Sequence, residues 1–191
     1  REASIKNSVW LKLTHRDWQI NYENEIEGIL FFTPDTENGR IFIVGENELH
    51  IFSTEDNNIQ TINYRNKPLF FNESYSCVYN SLDNKIYYLV DENPFYSLDV
   101  ETGEWNETGI IHENVAKYRH HNRYYDPSEN SIYLFGGYGF HTYNNLIRKI
   151  DLNKNTVHKV SSNDSVFQPR YLAGLGALND TVYILGGYGS E

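Results

Sequence analysis

Residues 133–139, Tyr-Leu-Phe-Gly-Gly-Tyr-Gly, return 50 positions later as Tyr-Ile-Leu-Gly-Gly-Tyr-Gly at 183–189. A polar turn precedes each copy: Glu129-Asn130 before Ile132, and Asn179-Asp180 before Val182. Towards the N-terminus the same unit of turn and strand recurs at Asp83-Asn84 before Ile86 and at Asn38-Gly39 before Ile41. The four strand starts are therefore 45, 46 and 50 residues apart. An aromatic residue follows every start (Phe42, Tyr87, Tyr133, Tyr183), and the strand stays apolar for two or three further positions. A period of this length marks a repeat architecture, in which each supersecondary unit buries its apolar surface on its neighbours.

A second landmark keeps the same period. Phe52, Leu98 and Ile150 are followed by Ser53, Asp99 and Asp151, then by a polar turn and a further apolar residue at Ile59, Trp105 and Val157. With a strand before each landmark turn, near 29–33, 77–80, 122–125 and 172–176, every repeat holds four short strands. Short strands joined by Gly, Asn and Asp turns form antiparallel hairpins. A four-stranded unit of about 45 residues repeated radially is a β-propeller blade. The expected organisation is a strand remnant over 1–25, blades over 26–68, 69–115 and 116–166, and a partial blade over 167–191. Either the N-terminal strand over 4–13, with Trp10, closes a four-bladed ring, or the chain is an arc of a larger propeller. The arc is the favoured reading, and its exposed blade edges would promote oligomerisation.

Composition narrows the partners. The chain has 26 Asp+Glu against 16 Lys+Arg, a formal net charge of −10, so no clustered cations are available to neutralise a nucleic-acid backbone. No apolar run approaches the length of a membrane helix, so membrane insertion is not expected. Aromatic residues make up 15% of the chain, too many for a disordered segment. The single cysteine, Cys77, excludes an internal disulfide framework and a cysteine-based zinc site.

The diglycine stretches resemble the end of the second strand of a kelch repeat. Asp151-Leu152, and Asp99 with Thr102 and Trp105, resemble the third-strand Asp and fourth-strand Trp of that motif. The likeness is densest from about Arg119 onwards; the earlier repeats have Gly45-Glu46 and Val90-Asp91 where the diglycine would stand. The resemblance implies a kelch-type propeller like the central domain of galactose oxidase. The diglycine is expected to leave the sheet at unusual dihedrals and to let a neighbouring aromatic ring pack on bare backbone. A composition rich in Asn, Ile and Tyr, with almost no Cys, suggests a bacterial protein, and the resemblance then favours export.

Strands in a blade alternate in direction, so strand 1–2 and 3–4 turns share one face and the remaining loops share the other. The first set is tight and polar. The second is long and varied, over 14–25, 64–74, 111–121, 138–145 and 161–171, and it carries the candidate ligand-binding residues: His15, Arg16, Trp18, Arg65, Arg119, His120, Arg123, Phe140, His141, Tyr143 and Arg170. Tyr, Trp, Arg and His stack on sugar rings and grip carboxylates. Two readings stay open for the arginines at 119, 123 and 170: a ligand, or neighbouring backbone carbonyls. Trp18, Phe70, Phe71 and Phe167 can equally be core.

The expected function is therefore a non-catalytic binding scaffold whose partner is a protein or a carbohydrate ligand, with no cofactor and no metal. The alternative is a sugar-processing enzyme, mutarotase-like or copper radical oxidase-like. In the oxidase variant, Cys77 between Tyr75 and Tyr79 would be the cross-linked residue and His120-His121 would supply ligands. No nucleophile motif, phosphate-binding loop or HExxH pattern is present in the sequence.

Overall fold

A computed structural model describes residues 26–69, 76–89, 95–110, 119–139, 141–160, 167–179 and 181–189. The strand expected over 4–13, the whole remnant over 1–25, and the candidates His15, Arg16, Trp18 and Phe140 lie outside the described residues.

Among the described residues the chain is all-β, without a helix. Strands β1 (Ile29–Asp35), β2 (Arg40–Gly45), β3 (Glu48–Ser53) and β4 (Ile59–Asn63) form one antiparallel sheet in sequential order. A second comprises β5 (Ser76–Asn80), β6 (Lys85–Leu89), β7 (Tyr96–Asp99) and β8 (Trp105–Glu107). The third joins β9 (Asn122–Asp126), β10 (Ser131–Phe135), β13 (Ile147–Asp151) and β14 (Thr156–Lys159). Between β10 and β13 a small hairpin stands apart, β11 (Tyr138–Gly139) with β12 (Thr142–Tyr143). The C-terminal part holds the hairpin β16 (Gly174–Leu178) with β17 (Thr181–Leu185), and a short pair of β15 (Arg170–Tyr171) with β18 (Tyr188–Gly189).

The repeated turns explain why these strands form. Gly39, Asn84, Asn130 and Asn179 all have φ between 47° and 58°, the left-handed region that a tight hairpin turn requires and that Gly and Asn tolerate. The Asp at the end of a third strand holds the next turn. Asp99 Oδ1 accepts the N–H groups of Glu101 and Thr102 at 3.0 and 2.9 Å, and Asp151 Oδ1 those of Asn153 and Lys154, each at 3.1 Å.

The second strands fill the interior, and their continuous apolar runs are those of strands covered on both faces. Phe42, Ile86, Ile132 and Leu134 are fully buried, with Leu98, Ile150 and Trp105 from the third and fourth strands. The C-terminal hairpin is different: Leu178, Tyr183 and Leu185 are exposed.

Two expectations need correction. The first strand of the last repeat begins at Gly174, two residues later than expected, because Leu172 sits at φ 51° and Tyr171 pairs with Tyr188 instead of opening β16. The segment over 138–145, read as a long loop, contains the β11–β12 hairpin.

Each sheet begins with its edge strand, and these edges are neighbours: β1 lies beside β5, β5 beside β9, and β9 beside β16. Side chains bond them. The Tyr79 N–H donates to Thr33 Oγ1 at 3.0 Å, Arg123 Nε donates to the Cys77 carbonyl, and Asn122 Nδ2 donates to the Ala173 carbonyl. A hydrogen bond made by a group buried between sheets contributes about 1 kcal/mol, and removing one partner costs more than that.

Candidate functional site

The segments around the β11–β12 hairpin are knitted together through their main chains. Arg119 and Tyr138 exchange two hydrogen bonds at 2.8 and 2.9 Å, Gly137 N–H donates to the Arg170 carbonyl at 2.8 Å, and Leu172 N–H donates to the His120 carbonyl at 3.2 Å. These bonds depend on the diglycine. Gly136 has φ 68° and Gly137 φ 113°, and a Cβ on Gly136 would stand 2.4 Å from the Arg170 oxygen. An aromatic ring was expected against this backbone; the tightest neighbour is a carbonyl, with Phe167 further out at 3.4 Å from the same point.

This framework gathers four tyrosines. Ring centroids of Tyr138 and Tyr143 are 5.1 Å apart, Tyr138 and Tyr171 5.2 Å, Tyr143 and Tyr171 5.7 Å, and Tyr171 and Tyr188 5.6 Å. His120 lies 6.1 Å from Tyr171, and His141 Nδ1 is 3.5 Å from the Tyr138 hydroxyl. Tyr188 is 66% exposed, whereas Tyr138, Tyr143 and Tyr171 are half-buried, so the cluster presents ring surface to solvent. The described stretches that build it, 119–121, 136–139, 141–146, 167–173 and 186–189, contain two arginines, three histidines and no carboxylate, against a chain charge of −10.

No protein-family model matches the chain, and no curated protein is similar to it by sequence.

Of the candidates named from sequence, Arg119, His120, His141, Tyr143 and Arg170 come together here. Arg170 directs its guanidinium to backbone, Nη1 to the Gly186 carbonyl at 2.8 Å and Nε to the Gln168 carbonyl at 3.1 Å. Arg65 stands apart, just past β4 of the first sheet, where its main chain bonds Gly103 and Trp105 at the edge of the second. Arg123 lies on the inner edge of β9, bonded to the Cys77 carbonyl. Tyr138, Tyr171 and Tyr188 were not singled out from sequence; the repeated Gly-Gly-Tyr-Gly, which places Tyr138 and Tyr188 at equivalent points, carried the signal.

The residues considered for a copper radical site have other neighbours. Cys77 is buried, and burial pushes its thiol up to about 12. Tyr79 packs its ring 4.5 Å from Phe42, donates its hydroxyl to Asn84, and receives a bond from Arg40. His121 is buried and His120 half-buried; burial, and then the nearby Arg123, lower His121 to about 3, so it is neutral at physiological pH. Among the described residues no three His, Cys, Asp or Glu side chains converge on a point where a metal could sit.

Proposed function

We propose that this chain is a kelch-type propeller, or an arc of one, that works as a non-catalytic scaffold and binds carbohydrate on the tyrosine cluster formed by Tyr138, Tyr143, Tyr171 and Tyr188. The propeller reading is supported by the repeat of 45 to 50 residues, by the four-stranded antiparallel sheets, and by the sequence of neighbouring edge strands. The binding reading rests on one observation: four phenol rings gathered in stacked and tilted contacts on segments joined by main-chain bonds, partly open to solvent, with the histidines at 120 and 141 beside them. A rigid aromatic surface stacks on the apolar face of a sugar ring at little entropic cost, and phenol and imidazole groups bond its hydroxyls. The absence of carboxylates from the described stretches around it favours sugars that carry acid groups.

The test is a titration of the intact chain with neutral and uronic-acid oligosaccharides, repeated with Tyr143→Ala and Tyr188→Ala. Binding of an oligosaccharide is expected to weaken several-fold to about ten-fold in each variant, with melting temperatures within a few degrees of the parent. Equal affinity in parent and both variants would remove the cluster from the binding surface.

A further inference from the structure

The edge strands β1, β5, β9 and β16 border a cavity of about 470 Å³ that is open to solvent on one side. Its lining is mostly apolar or aromatic: Phe32 and Pro34 from β1, Val78 from β5, Tyr124 from β9, and Leu175 and Ala177 from β16. One charged side chain lines it, Arg123. Among the described residues that guanidinium makes one hydrogen bond, from Nε to the Cys77 carbonyl, and pairs with no carboxylate. Burial works against its charge and lowers its pKa. Of the ionisable groups beside it, His121 is neutral and the Cys77 thiol stays protonated, so neither offsets its charge, and the nearest other charge on that side, Arg148, is a second cation.

A cation beside a cavity with no counter-charge is costly to bury, and an arginine fork whose terminal nitrogens are uncommitted matches the two oxygens of a carboxylate. We infer that this cavity is a second binding site, separate from the tyrosine cluster, which takes a small organic carboxylate with an apolar body: the carboxylate on Arg123 and the body among Phe32, Val78, Tyr124 and Leu175. The volume exceeds that of a single aromatic ring with one carboxyl group, so an aryl or branched alkyl acid fits.

The experiment titrates the intact chain calorimetrically with benzoate, with its neutral counterpart benzamide, and with inorganic phosphate. Benzoate is expected to bind, benzamide at least about ten-fold more weakly, and phosphate no better than benzamide. Arg123→Gln is expected to abolish the preference for benzoate. Should Arg123→Gln fail to fold, Ala177→Leu narrows the cavity while leaving the Arg123 bond to Cys77 in place, and it should weaken benzoate binding by a similar factor. Tyr143→Ala should leave benzoate binding unchanged, which separates this site from the carbohydrate surface. Absence of benzoate binding, equal binding of benzoate and benzamide, preference for phosphate, or binding indifferent to the Arg123 and Ala177 variants would each overturn the assignment.

Discussion

The main-chain oxygen of Arg170 lies 2.4 Å from the point where a Cβ on Gly136 would begin. Gly136 also has φ 68°, so alanine there meets both a strained backbone and an immovable carbonyl. The backbone conformation alone costs about 1–3 kcal/mol in a residue with a side chain. Gly109 offers an internal control, since its φ is 71° and nothing lies within 4 Å of its Cβ position. Denaturant unfolding should therefore show Gly136→Ala losing clearly more stability than Gly109→Ala; equal losses would mean that the approach of Arg170 is not rigid.

Acid stability should depend on Asp35. Burial acts to raise its carboxyl pKa, but hydrogen bonds from Asn38 and Arg40 outweigh that and hold it below the usual carboxylate value. Arg40 Nη2 lies 2.7 Å from Oδ2. A folded pKa below the unfolded one gives stability that is present above about pH 4 and is lost as pH falls through the folded value. Asp99 is lowered as well, burial again opposing and the Thr102 bonds prevailing. Urea midpoints should fall between about pH 5 and pH 2. Asp35→Asn should lower the neutral-pH stability by on the order of 1–3 kcal/mol and flatten the acid limb, and an unchanged limb would count against this coupling.

Cys77 should be chemically silent in the folded protein. It is the chain's one cysteine, it is 1% exposed, and burial pushes its thiol up to about 12. A thiol reacts as thiolate, so labelling by a disulfide reagent at pH 8 should be slow in the native state and fast in denaturant. Rapid native labelling would show that the inner edge of β5 opens.

Trp105 ties two sheets together. It is 2% exposed, and its ring lies edge-on to Tyr64 of the first sheet at 5.5 Å and to Tyr88 of its own at 5.9 Å. Trp105→Ala should cost about 3–5 kcal/mol, read from chemical denaturation, and Trp105→Phe should recover part of the loss. Near-neutral behaviour of the alanine variant would mean that the two sheets repack around the void.

The strands were legible where local chemistry defines them. Each β2-like strand follows a turn with Gly or Asn in the left-handed region, at Gly39, Asn84, Asn130 and Asn179, and short-range rules suffice to find it. The β11–β12 hairpin was not, because two pairs, Tyr138 with Tyr143 and Gly139 with Thr142, are too few to show any alternation. The tyrosine cluster is split between residues 138–143 and 171–188, and main-chain bonds far apart in sequence, Gly137 with Arg170, Arg170 with Asn144 and Leu172 with His120, bring the halves together. Arg123 was named from sequence, yet its partner, the Cys77 carbonyl 46 positions earlier, follows from how two sheets stand edge to edge.

The joint at Gly136, Gly137 and Arg170 is made of main-chain atoms, so its hydrogen bonds do not use the side chain of residue 170. The scaffold therefore separates two kinds of information. The glycines encode assembly and tolerate no diversity, while exposed positions such as Thr142 and Tyr188 can be varied without touching the joint. A library randomised at those two positions would explore new ligand preferences on an unchanged frame.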